Sequence, residues 1–199
     1  MTELLPLVFT SGWASGVNAY ATVLLLGLLG RFAGVDAVPS GLERTDVLIA
    51  AAVLYALEFV TDKIPYVDTT WDTVHTVIRP TVGTVIALLV AGDATTLDQA
   101  VLGATGGVTA LVSHLVKAGL RLAVNTSPEP VSNIGLSVAE DVVVLGVVWF
   151  AIEHPVAAAC IAAGLLAIGL VVLYLAARLV RRGWRRWRAR RRPGAPTAA

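Results

Sequence analysis

In 199 residues, 56% hydrophobic, 15% charged and with a mean hydropathy of +0.76, there is more apolar side chain than a water-soluble core of this size can hide. This composition excludes an ordinary soluble enzyme or binding module and predicts a polytopic, all-α membrane bundle. The net charge of +1 conceals a split: nine of the fifteen basic residues lie between Arg178 and Arg192, and no acidic residue follows Glu153.

The chain opens with MTELLPLVF, which lacks the positive segment of a cleavable signal and is expected to begin the mature protein. A membrane crossing takes about 20 mostly apolar residues, and the hydrophobic stretches predict six of them. The first runs from about Leu4 to Leu29 and is broken by TSGWASG at Thr10 to Gly16. It reads either as one helix with a soft spot or as a short helix followed by a full one. A Gly-, Pro- and charge-rich loop follows Arg31, and the second span, Asp46 to Asp62, carries Glu58 near its end.

The third span is anomalous. After Pro80 only eleven apolar residues remain, roughly 16 Å of helix against a hydrocarbon slab of roughly 30 Å, so Val67 to Arg79 must complete the crossing. That segment has two stripes at spacings of four, three and four. Val67, Trp71, Val74 and Ile78 are apolar, and Asp68, Asp72, His75 and Arg79 are ionisable. Pro80 would kink a long helix or divide a re-entrant segment from a half-span.

The fourth span covers Leu97 to Leu122 and contains the small-residue run GATGG. NTSPEPVSN at Asn125 to Asn133 reads as a loop, the fifth span as Ile134 to Ile152 and the sixth as Pro155 to Val180. Cys160 is the only cysteine, so an intrachain disulfide is ruled out. The domain plan is a transmembrane helical body over 1–177 and a basic tail over 178–199. The positive-inside rule puts the tail in the cytoplasm, and six spans would put the N-terminus there too.

Within the tail, Trp184 and Trp187 among arginines read as an anchor on anionic membrane lipid, with no nucleic-acid role. Arg outnumbers Lys thirteen to two, the bias of a GC-rich bacterial genome. Two mutually exclusive internal matches suggest a repeat: spans one with four, or spans two and three with four and five.

An ionisable side chain at membrane depth costs at least ~2.5–3.5 kcal/mol on insertion scales, so each one points to a role and a partner. The acids Glu58, Asp62, Asp68, Asp72, Glu140 and Asp141, with His114 and Lys117, form a candidate polar pathway. Asn18 joins them beside the break in the first span, as does Tyr20. Buried ion pairs that merely hold the bundle together, or side chains snorkelling to the interface, would give the same pattern. A second reading makes Asp68, Asp72 and His75 ligands of a divalent cation and sets Arg79 on a phosphate. An amphipathic helix lying in the interface has that same spacing.

The motifs SGWASGVNAYATVLLLGLLGR, EFVTDKIPYVDTTWDTVH and NTSPEPVSN, with AED at Ala139 to Asp141, resemble a bacterial membrane family catalogued as domain of unknown function 4126. The resemblance covers about Leu5 to Val172. It puts weight on Asn18, Glu58, Asp62, Asp68, Asp72, Glu140 and Asp141 but implies no activity. The expected function is a small transporter or lipid flippase of the cell membrane, coupled to protons and needing no cofactor. The alternatives are a metal-dependent enzyme acting on a lipid phosphate, or a membrane assembly factor. A homo-oligomer is compatible with a chain this small, and the substrate is not legible.

Overall fold

The computed structural model describes residues 3–64, 66–124 and 130–190. Among them are seven α-helices and no strand: α1 (Leu5–Val17), α2 (Ala19–Ala33), α3 (Thr45–Thr61), α4 (Val67–Ala91), α5 (Thr96–Val124), α6 (Pro130–Glu153) and α7 (Pro155–Arg190). Four stretches are long and apolar enough to cross a membrane: α4, α5, Ile134–Glu153 of α6 and Pro155–Arg182 of α7. Most of the loop expected at 125–133 lies outside the described residues, as do the tail beyond Arg190 and the side chain of Trp187.

The first apolar region does not form one interrupted crossing. At Asn18 the backbone opens to φ −149° and ψ 100°, and the chain reverses. Val8, Gly12 and Gly16 of α1 lie beside Leu102, Gly106 and Ala110 of α5, so α1 runs parallel to α5. Helix α2 runs the other way, from Tyr20 against His75 to Gly27 against Leu42 and Leu48, where α3 begins. Thirteen and fifteen residues rise about 20 and 22 Å, and the pair enters and leaves the bundle at the same end, a hairpin with its tip inside the bundle.

Helices α3 to α7 run alternately along the bundle, four of them with stretches long and apolar enough to cross a membrane, and Gly169 and Gly119 register α7 parallel to α5 through Val116 and Leu173. The chain therefore begins at one end of the bundle and leaves at the other. The re-entrant element is α1–α2, whereas α4 is a continuous helix of 25 residues with Pro80 inside it. The last helix also passes through the expected boundary at 178 without a break.

Helix α1 is the axis of the bundle, with nine of its thirteen residues buried. Its polar side chains are tolerated there because they bond locally. Thr10 and Ser11 donate to the carbonyls of Pro6 and Leu7, both at 2.8 Å. Small residues then let backbones meet: a methyl added at Gly12 would stand 2.7 Å from the Gly106 carbonyl oxygen, and one at Gly83 2.8 Å from the same atom.

The two stripes of α4 sort oppositely to those of a soluble helix. Asp68, Asp72, His75 and Arg79 are all buried, while Val67 and Val74 face outward at 42% and 57% exposure and Trp71 and Ile78 are half-buried. Ile49, Val53, Val60, Ile168 and Leu179 are likewise outside. Charge inside and large aliphatics outside is the arrangement that lipid, rather than water, stabilises.

Candidate functional site

The hairpin tip, the end of α3, the first half of α4, the last third of α5 and the start of α6 converge on one buried ionic cluster. Arg79, fully buried, donates three hydrogen bonds and makes one further ionic contact. Its Nη2 donates to Glu58 Oε1 at 2.7 Å and lies 3.2 Å from Asp72 Oδ1. Its Nη1 donates to the Gly16 carbonyl at 3.1 Å and to His114 Nδ1 at 2.9 Å.

That last bond fixes a tautomer. With Nδ1 accepting, His114 carries its proton on Nε2 and donates to the Thr76 hydroxyl at 3.1 Å, which itself donates to the Asp72 carbonyl. For His75 the assignment is reversed: Nδ1–H donates to the Trp71 carbonyl at 2.8 Å, and Nε2 accepts from the Tyr20 hydroxyl at 2.9 Å. His114 is neutral in this arrangement.

One turn along α5, Lys117 donates to the Val17 carbonyl and to Asp62 Oδ2, both at 2.8 Å, and lies 3.5 Å from Glu58 Oε1. Arg121 donates to Glu140 Oε2 at 2.6 Å and to the Asp62 carbonyl at 2.9 Å. It lies 2.9 Å from Asp62 Oδ2 and 3.8 Å from Asp68 Oδ2. The two carbonyls taken by Arg79 and Lys117 end α1. Breaking the helix leaves those acceptors without intrahelical partners and turns the negative end of its dipole toward two cations.

Asn18 closes the tip from the other side. Its side-chain oxygen caps α2 by accepting from Ala21 N at 2.9 Å, and its amide donates to Asp141 Oδ1 at 3.0 Å. The cluster thus gathers every residue of the expected polar pathway. Spacing alone did not point to the Gly16 and Val17 carbonyls, Thr76, or Ser113, which donates to the Trp13 carbonyl at 2.8 Å.

The metal and phosphate reading gains nothing from this geometry. Asp68 faces Arg121, Asp72 faces Arg79, and His75 sits between Tyr20 and the Trp71 ring. No group of three or more His, Cys, Asp or Glu side chains poised for a metal ion occurs among the described residues. Arg79 is enclosed by protein and offers no open face to a phosphate.

The charge balance is uneven. Glu58, Asp62, Asp68, Asp72, Glu140 and Asp141 surround Arg79, Lys117 and Arg121, an excess of three carboxylates among the described residues. Lys63, at the rim on the Phe59 carbonyl and the Ser137 hydroxyl, lowers that to two. Glu58 Oε2, Asp72 Oδ2 and Asp141 Oδ2 are buried and meet no donor among the described residues.

A family model described as domain of unknown function (DUF4126) matches residues 5–175. The chain belongs to this family. The match spans all seven helices up to the start of the basic extension of α7, so the hairpin and the ionic cluster both lie inside it. No curated protein and no solved structure matches the chain.

Proposed function

We propose that this chain is a small secondary transporter of the cell membrane in which the surplus carboxylates of the buried cluster take up and release protons as a solute passes. The observation that carries the reading is the excess of buried acids over bases at the tip of a re-entrant hairpin. An uncompensated carboxylate in a low-dielectric interior costs several kcal/mol, so six acids around four cations, Lys63 at the rim included, favour protons or a positive solute.

Asp72 and Asp141 are the proton carriers in this scheme. Glu58, Asp62 and Glu140 each hold a base at 2.8 Å or less, whereas Asp141 is held by a neutral amide and Asp72 by one longer contact. Protonating either acid changes the field on Arg79 and Lys117, the cations that grip the end of α1. The tip is therefore the element that a proton would loosen or tighten. A purely structural assembly factor would be served by a balanced, fully paired cluster, which this one is not.

The test is proton flux in proteoliposomes with a trapped pH-sensitive dye, under an imposed pH gradient and with solutes of each charge class. Solute-dependent flux is expected from the unaltered chain and its loss from Asp141→Asn and Asp72→Asn. Flux that both substitutions leave intact removes the reading.

A further inference from the structure

Helix α7 runs on past its neighbour at the end where its arginines begin. Leu173 packs against Gly119 of α5, and five residues further on α5 reaches Val124, its last described residue, while α7 reaches Arg178. From Arg178 the helix continues to Arg190, a rise of about 18 Å, and every side chain from Ala177 to Arg182 is exposed.

Tyr174, Arg178, Arg181, Arg182 and Arg185 line one concave face of this stretch, about 290 Å³ in volume. The spacing builds that face: Arg178 and Arg182 are four apart, as are Arg181 and Arg185, and Arg178 with Arg181 and Arg182 with Arg185 are three apart. Each guanidinium therefore has two others as helical neighbours, and like charges at these spacings destabilise a helix. The buried bases Arg79, Lys117 and Arg121 each hold a carboxylate. Among the described residues none of the four arginines on α7 does, and no acidic residue follows Glu153. An anion from outside the chain relieves this repulsion.

Depth decides which anion. Tyr174, Arg178, Arg181 and Arg182 fall within the stretch of α7 that is apolar enough to cross a membrane, and Leu179 and Val180 stand exposed on the same turns. A helix that shows guanidinium and bare aliphatic side chains at one level belongs at the edge of the hydrocarbon, where phospholipid phosphates lie. A polyanion in solution would meet the stripe only beyond the headgroups. One guanidinium fork grips one phosphate, and Arg178 to Arg185 extends about 10 Å along the axis, room for two phosphates side by side. We propose that this face is a headgroup site for anionic phospholipid of the leaflet into which α7 emerges, holding two phosphates at a time, with Tyr174 as its inner wall. It fixes particular lipids to a defined face instead of drawing the whole tail to a negative surface. The site stands independently of the transport reading.

The experiment uses the full chain in a neutral detergent, with bound lipid counted by native mass spectrometry as cardiolipin, phosphatidylglycerol or phosphatidylcholine is titrated in. Cardiolipin, whose two phosphates match the face, is expected to saturate at about one per chain by the phosphate count above. Phosphatidylglycerol should bind more weakly, and zwitterionic phosphatidylcholine should not be retained. Arg178→Gln, Arg181→Gln, Arg182→Gln and Arg185→Gln together should weaken cardiolipin by roughly a hundredfold, at about three- to fivefold per arginine. All four side chains are exposed, so the fold does not depend on them. A control with Gln at Arg186, Arg190, Arg191 and Arg192 removes the same charge elsewhere in the sequence and should leave most of the binding intact. Equal weakening by the two variants would mean that total tail charge attracts the lipid, and it overturns the proposal. So does undiminished binding by the first variant, or equal retention of phosphatidylcholine. Displacement of cardiolipin by a single-stranded oligonucleotide or by inorganic phosphate, at matched phosphate concentration, overturns it as well, since the face would then serve a soluble anion.

Discussion

Arg79 holds four parts of the cluster at once, since Glu58, Asp72, His114 and the Gly16 carbonyl all meet it. Removing one partner of a buried pair leaves the others charged and unpaired, at a cost of about 3–5 kcal/mol. Arg79→Leu is therefore expected to destabilise the protein by that amount in reversible unfolding in mixed detergent, and Arg79→Leu with Glu58→Leu to recover part of the loss. If the double variant is less stable than the single by a further full increment, Glu58 has a role beyond pairing. Tyr20→Phe tests a smaller link: losing the hydroxyl that donates to His75 should cost about 1 kcal/mol, and the cost should vanish when His75 is already Phe. At this scale the sequence was informative about which residues meet. The stripe of Asp68, Asp72, His75 and Arg79 follows from helical period alone, and so does the basic face of His114, Lys117 and Arg121. The partners they chose were less visible, because a backbone carbonyl such as that of Gly16 or Val17 becomes an acceptor only where a helix stops, and hydropathy runs unbroken through that stop.

Among the elements, the hairpin α1–α2 depends on a few small residues and one cap. A methyl at Gly106 would stand 2.5 Å from the Gly83 carbonyl oxygen and 2.7 Å from the Ala87 Cβ, so neither backbone nor a flexible tip can give way. Gly106→Ala should cost about 1–3 kcal/mol by overpacking. Gly146 and Gly164 have open space where a Cβ would go, and Ala at either should be neutral or stabilising by up to about 1 kcal/mol through helix propensity. Equal losses at all three positions would mean that glycine matters for chain flexibility rather than for contact. The SGWASG break was legible as a weak point, since Gly and Ser crowd there. Its consequence, a reversal rather than a kink, was not, because the deciding feature is the extended backbone of Asn18 held by Ala21 on one side and by Asp141, 123 residues away, on the other. Pro80 left two readings open, a kinked long helix or a divided span, and α4 continues through it as one helix, packed along α5 at Gly83.

For the molecule as a whole, the reversal of α1 and α2 leaves the first and last described helices starting and ending at opposite ends of the bundle. The arginines of α7 from Arg178 onward lie at the end where the ionic cluster sits, and Arg188 stacks over the Trp184 ring at 3.8 Å. By the positive-inside rule that end is expected to face the cytoplasm. The other end carries Glu3, Asp36, Glu43, Asp93 and Glu153, with Arg31 and Arg44 as its only basic residues among those described, a poor competitor for retention inside. Both termini were expected in the cytoplasm because an unbroken run of apolar residues counts as a crossing whether or not it turns back. Replacing Cys160 by Ala leaves a chain without thiols, into which single cysteines can be placed at Glu3 and at Thr197. In intact cells a membrane-impermeant maleimide is expected to label Glu3→Cys from outside and to reach Thr197→Cys only after permeabilisation. Protection of both would mean that α1 and α2 together cross the bilayer. The tip at Asn18 would then be a mid-membrane kink, and the two cations gripping it would lie along a through-going helix instead of capping a re-entrant one.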